Sequence, residues 1–187
     1  YIAQFMFNSP PGLSDAMDLA KMLAVLDMVE PLQNENFKVW KQSRIGLLSH
    51  PLDPDAARGH LAAATYLQMA LKPHIYHIVG HTEAHHAATA DDVIEASKIV
   101  RRAIENAMSA PDMTADKAIT KRRKELVRDA TLLLDAISRL AGPEAGDPLT
   151  DAATLTRAVT SGLMDAPQLR NNKFGRGEVR TSIVHGA

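Results

Sequence analysis

His74-Ile-Tyr-His-Ile-Val-Gly-His-Thr-Glu-Ala-His-His86 decides how this chain is read. Its first half is apolar and β-branched and reads as a strand from His74 to Val79. Its second half is a polar loop that runs into a helix opening at Thr89. Five of the eight histidines fall within these thirteen residues, together with one carboxylate, Glu83. In strand–loop–helix folds the loop at the carboxyl end of a strand is where ligand-binding groups project. One wall of any active site is therefore expected here.

The same alternation extends in both directions. Upstream, Tyr1 to Phe7 reads as a buried strand that ends at the breaker Asn8-Ser-Pro-Pro-Gly12. Ser14 is a good N-cap, and Asp15 and Asp18 lie in the first turn, where carboxylates favour the helix dipole. Leu19, Met22, Leu23, Leu26 and Val29 then share one helical face up to Pro31. A second strand is expected between Phe37 and Leu48, and Asp53-Pro-Asp55 opens an Ala-rich helix reaching Leu71. Downstream, Thr89 with Asp92 forms a capping-box pattern for a helix to Met108. A long charged helix follows over 114–140, then a short one over 150–164, and Gly177 to Val184 reads as a last strand.

Strands alternating with helices predict a parallel sheet with crossover helices. Both ends look cut, since each terminal strand needs backbone partners. The expectation is one domain segment spanning 1–187, the C-terminal portion of an eight-stranded β/α barrel within a longer protein. No G-x-G-x-x-G or phosphate-loop pattern follows any strand.

Composition excludes several classes. The net charge is −1, and the only basic cluster, Lys121-Arg122-Arg123-Lys124, sits in an alternating-charge helix, so a nucleic-acid surface is not expected. There is no cysteine, hence no disulfide framework or thiolate metal site. No apolar run approaches the ~18–20 residues that span a bilayer, and no signal peptide opens the chain, so a soluble, cytoplasmic protein is expected.

Three readings of the polar loop stay open at this point. The histidines are ordinary strand-end and loop residues, or they bind a metal, or they contact a small molecule. For a metal, His81 and His85 have the spacing of an H-E-x-x-H site, but Glu83 sits in the wrong register between them and no third ligand stands out. For a small molecule, Glu83 would accept hydrogen bonds from ligand hydroxyls, with His81 or His85 as neutral neighbours. Asn8, after the first strand, would lie at the same mouth. Asp165 reads as a turn cap as readily as a catalytic group. Arg170, Lys173, Arg176 and Arg180 make a basic loop.

From about His74 to Arg180 the chain resembles the large (epsilon) subunit of glutamate mutase, or methylaspartate mutase. The resemblance rests on the strand from His74 to Val79, on Glu83 at its spacing from Thr89, and on Ser161-Gly-Leu-Met-Asp-Ala-Pro167, which is similar to the family's Thr-Gly-Val-Met-Asp-Ile-Pro run. It implies a β/α barrel that uses adenosylcobalamin for radical rearrangement of an amino acid or dicarboxylate. It also implies pairing with a small cobalamin-binding subunit or domain within an oligomer. Glu83 would contact the ribose of the adenosyl group, with His81 and Asn8 nearby. The family's lysine four residues before that glutamate is Val79 here, and the family's substrate arginines have no counterpart in the chain. No D-x-H-x-x-G cobalamin motif is present, so the lower face of the corrin would fall to a partner. The rival expectations are a metal-dependent lyase or hydrolase on a β/α barrel, and a non-catalytic barrel module that binds a partner.

Overall fold

A computed structural model describes all residues, 1–187. It divides into two compact units, one of residues 1–124 with 185–187 and one of residues 125–184. The first unit holds the sheet. Strands β1 (Ile2–Phe7), β2 (Trp40–Ile45) and β3 (Ile75–Tyr76) run parallel in the order β1-β2-β3. The register pairs Ile2 with Trp40 through Phe7 with Ile45, then Gln42 with Ile75 and Ser43 with Tyr76. Between the strands lie helices α1 (Asp15–Val29) and α2 (Pro54–Gln68), and α3 (Ala90–Met108) follows β3.

Local chemistry sets these boundaries. Ser14 caps α1 by accepting from the Met17 N–H, and Asp53 caps α2 by accepting from Ala56 with Pro54 in the first turn. Thr89 and Asp92 form a complete capping box for α3. Period-two alternation along β1 sends Ala3, Phe5 and Phe7 into the core, where they join Leu19, Leu23, Leu26, Leu61 and Val79. The other face carries exposed Ile2, Gln4, Trp40, Ile75 and His77. On it a polar row crosses all three strands: Gln42 Nε2 lies 3.4 Å from Gln4 Oε1 and 3.3 Å from His77 Nδ1.

The barrel expectation is overturned. The sheet has three strands and two free edges, and after β3 three helices follow in succession: α3, α4 (Lys117–Ser138) and α5 (Ala152–Thr160). A barrel needs a strand between each pair of helices and closure without edges. The strand expected at Gly177 to Val184 does not form. The Asp165 carboxylate takes the N–H groups of Gly177, Glu178 and Val179 at 2.7, 2.7 and 3.0 Å, so these donors are not free for a ladder. β3 is also shorter than His74 to Val79. At its start the Lys41 N–H donates to the His74 ring nitrogen Nδ1 at 3.0 Å instead of to a strand carbonyl.

The second unit contains the later part of α4, then α5 capped by Asp151, and an irregular tail. Arg157 ties this stretch together by donating to the Leu140 carbonyl and to Thr154 Oγ1. No helix of the chain is long and apolar enough to cross a membrane.

Candidate functional site

The carboxyl ends of the three parallel strands gather three buried polar side chains of the first unit, Asp18, His50 and His81. At the end of β1, Asn8 turns the chain in a left-handed conformation (φ 53°). Its N–H donates to Oδ2 of Asp18, a fully buried carboxylate from the inward stripe of α1. Asp18 Oδ1 lies 2.8 Å from Lys21 Nζ, which also donates to the Ser9 carbonyl. The side-chain oxygen of Asn8 is buried with no partner.

After β2, Gly46 donates to the Phe7 carbonyl, and a Cβ there would stand 3.1 Å from the Asn8 carbonyl, so the two strand ends meet closely. The next turn delivers Ser49 and His50. Ser49 Oγ is 2.7 Å from the Gly46 carbonyl and 2.8 Å from His60 Nε2 on α2. Because the hydroxyl donates to the carbonyl, His60 is the donor to Ser49, which fixes its tautomer. His50 packs edge-on against His60 with ring centres 5.5 Å apart, and its buried ring is steered by the Val79 backbone. Burial, followed by the neighbouring His60, pushes the His50 imidazole below the ordinary range. Burial does the same to His60, against a weaker opposing pull from Asp15.

After β3, the chain makes a tight turn in which the Glu83 N–H bonds the Gly80 carbonyl and Glu83 Oε1 accepts from the Gly80 N–H at 2.6 Å. His81, within that turn, is 2% exposed and neither ring nitrogen has a hydrogen-bond partner. Its Nε2 lies 3.4 Å from Glu95 Oε2. Glu95 is itself gripped by Arg58 through Nε at 2.7 Å and the second guanidinium nitrogen at 3.3 Å. That Arg58 hydrogen bond holds the Glu95 carboxyl below its usual value. Glu83 and His81 both contribute to the field at His50, so the ends of β2 and β3 share one electrostatic neighbourhood.

The structure therefore draws Asn8, His81 and Glu83 to one end of the sheet and adds Asp18, His50 and His60, which the sequence reading passed over. His85 and His86 go elsewhere: His85 Nε2 contacts the Pro51 carbonyl at 3.2 Å, and His86 Nε2 contacts Asp92 Oδ2 at 3.1 Å. The His81–His85 spacing produces no shared helical face, because residues 81–86 form turns. No three His, Asp or Glu side chains are grouped to hold a metal ion. What the arrangement offers is hydrogen bonding near neutral pH. His50 and His60, held below the ordinary range by burial, each present one donor and one acceptor when neutral, near the Glu83 carboxylate.

Against known proteins, the chain matches no family model, no curated protein and no solved structure.

Proposed function

We propose that this chain is the catalytic-subunit segment of an adenosylcobalamin-dependent, mutase-like isomerase, and that it receives the adenosyl ribose at the carboxyl ends of β1–β3. The reading keeps the site residues suggested by the resemblance, but the barrel that the resemblance also implied does not form. The observation that carries it is Glu83 at the end of β3, an exposed carboxylate whose Oε1 is steadied by the Gly80 N–H, in the electrostatic neighbourhood of buried His50. A steadied carboxylate with open lone pairs fits a vicinal diol, which brings two donors.

In this reading Glu83 orients the ribose hydroxyls, and His81 and His50 supply the donors and acceptors that complete the polar wall. Asn8 lends its unpartnered side-chain oxygen from the end of β1. When bound, the cofactor supplies radical chemistry for rearranging a carbon skeleton. The protein's share is to position the ribose and to exclude water. A partner subunit or domain would hold the lower face of the corrin. Val79, at the position of the family's lysine, is 1% exposed and belongs to the apolar core. That observation favours a second reading, a binding module without catalysis.

The first experiment titrates the chain with 5′-deoxyadenosine and with its 2′,3′-dideoxy analogue. Glu83→Gln is expected to weaken the diol-bearing ligand by about tenfold or more, the loss of a charge-assisted hydrogen bond worth roughly 1.5–3 kcal/mol. The dideoxy analogue should bind weakly to both proteins. Equal effects of Glu83→Gln on the two ligands would remove the ribose contact. A cob(II)alamin signal with adenosylcobalamin, partner and candidate amino acids or dicarboxylates separates the enzyme from the binding module.

A further inference from the structure

The basic tail of the second unit is organised in a way that neither solvation nor the site above requires. Arg170, Arg176 and Arg180 line one cleft of about 540 Å³, together with Pro167, Gly177 and Glu178. Glu178 is the one carboxylate on its wall, against three guanidinium groups. Asp165, the other acid of the segment, accepts the N–H groups of Gly177, Glu178 and Val179, and no arginine is hydrogen-bonded to it.

Two glycines make this packing possible. Gly162 has φ +82°, and a Cβ there would come within 2.9 Å of Arg176 Cδ, so the Arg176 stem lies directly against its backbone. Arg176 Nε also donates to the Thr160 carbonyl at 3.3 Å. Gly177 has φ +61°, and a Cβ there would fall 2.1 Å from the Arg170 backbone nitrogen, so the segments carrying Arg170 and Arg176 are in direct backbone contact. Exposed arginines repel one another and ordinarily spread into water. Here backbone contact and a carboxylate clamp on three N–H groups fix the loop, and a stem laid on glycine places Arg176, with exposed Arg170 and Arg180 on the same opening.

We propose that residues 160–181 form a binding site for the oxyanion group of a small molecule, a carboxylate or a phosphate, with Arg170 and Arg180 as the principal donors and Arg176 as the pre-positioned one. Guanidinium forks match either group through paired N–H bonds. Asp165 acts as the positioning residue, since it shapes the loop without touching the ligand.

The test is calorimetric titration of the full chain with inorganic phosphate and, separately, with succinate. Saturable binding of either supports the site, and the preferred probe identifies the oxyanion. Arg170→Gln and Arg180→Gln should each weaken that binding by about tenfold or more. Gly162→Ala removes no charge yet should also weaken it, by displacing the Arg176 stem, and circular dichroism checks that α5 survives. Absence of saturable binding with both probes overturns the proposal. So does binding that ignores all three substitutions, which would mark general charge attraction. Because no residue of the first unit takes part, the outcome is independent of the Glu83 experiment.

Discussion

Acidification should destabilise the first unit through His50 and His60, and the sign follows from their surroundings. Burial lowers both imidazoles below their ordinary value. The groups facing His50 are His60, His81 and Glu83, and those facing His60 are Ser49 and Asp15. The Val79 backbone and then Glu83 pull His50 upward, and Asp15 pulls His60 upward, but burial outweighs them. The unfolded chain therefore takes up these protons at a higher pH than the folded one. Stability rises with pH in that window: it is complete above the ordinary histidine value of about 6.5 and is lost as pH falls through the folded values. Each group adds a slope of at most about 1.4 kcal/mol per pH unit. Partial exposure of His60 and coupling between the two rings reduce this, so stability should fall on acidification below about pH 6.5 by less than the two groups' combined slope. The assay is urea denaturation at several pH values, with His50→Gln as the comparison. That substitution deletes the titrating group in the most buried position, so its midpoint should fall less on acidification. A wild-type midpoint that is flat or rises towards pH 5.5, or an unchanged slope in His50→Gln, would refute the reasoning.

Two further outcomes test other parts of the fold. Asp18→Ala should cost about 2–3 kcal/mol in denaturant midpoints, because it leaves the Asn8 N–H and the partly buried Lys21 without their acceptor; a loss under about 1 kcal/mol would contradict that role. Thr89→Ala should cost about 1 kcal/mol of α3 stability, read by amide exchange in its first turns. The Thr89 side-chain bond, then its N–H, then His86 hold the Asp92 carboxyl down to about 2, so the stabilisation from this box should persist above about pH 4 and fade only towards pH 2.

Local signals carried most of the element order. Ser14, Asp53-Pro54 and Thr89 with Asp92 are caps whose partners lie two to four residues away, and all three helices begin where those residues stand. Non-local competition was invisible. Nothing in Gly177 to Val184 announces that a carboxylate twelve residues upstream of Gly177 will take its N–H groups, so a β-prone run was read as a strand. The barrel expectation rested on that strand, on the alternation of strands and helices with ends that look cut, and on the resemblance. The site was partly legible for the same reason. Glu83 and His81 follow an obvious strand, whereas His50 and His60 meet only through tertiary packing. Asp18 did carry a signal: it falls on the i, i+4 row of Met22 and Leu26, the inward stripe of α1, and was read only as a first-turn dipole partner.

The unsatisfied groups bear on the proposed ribose site alongside Glu83. Leaving a buried polar group unpaired costs about 1–3 kcal/mol, and His81 and Asn8 each present such an atom at one end of one sheet. A core selected for stability alone would replace such groups with apolar side chains. In the proposed site a ligand that hydrogen-bonds them would return that energy. Lys21 and Arg58 are both paired with carboxylates, Asp18 and Glu95, whereas Arg44, near the end of β2, donates to the Ile45 carbonyl. A guanidinium without a carboxylate partner therefore stands near that end of the sheet, so the proposed site suits the hydroxyls of a ribose without excluding an anionic group on the same ligand.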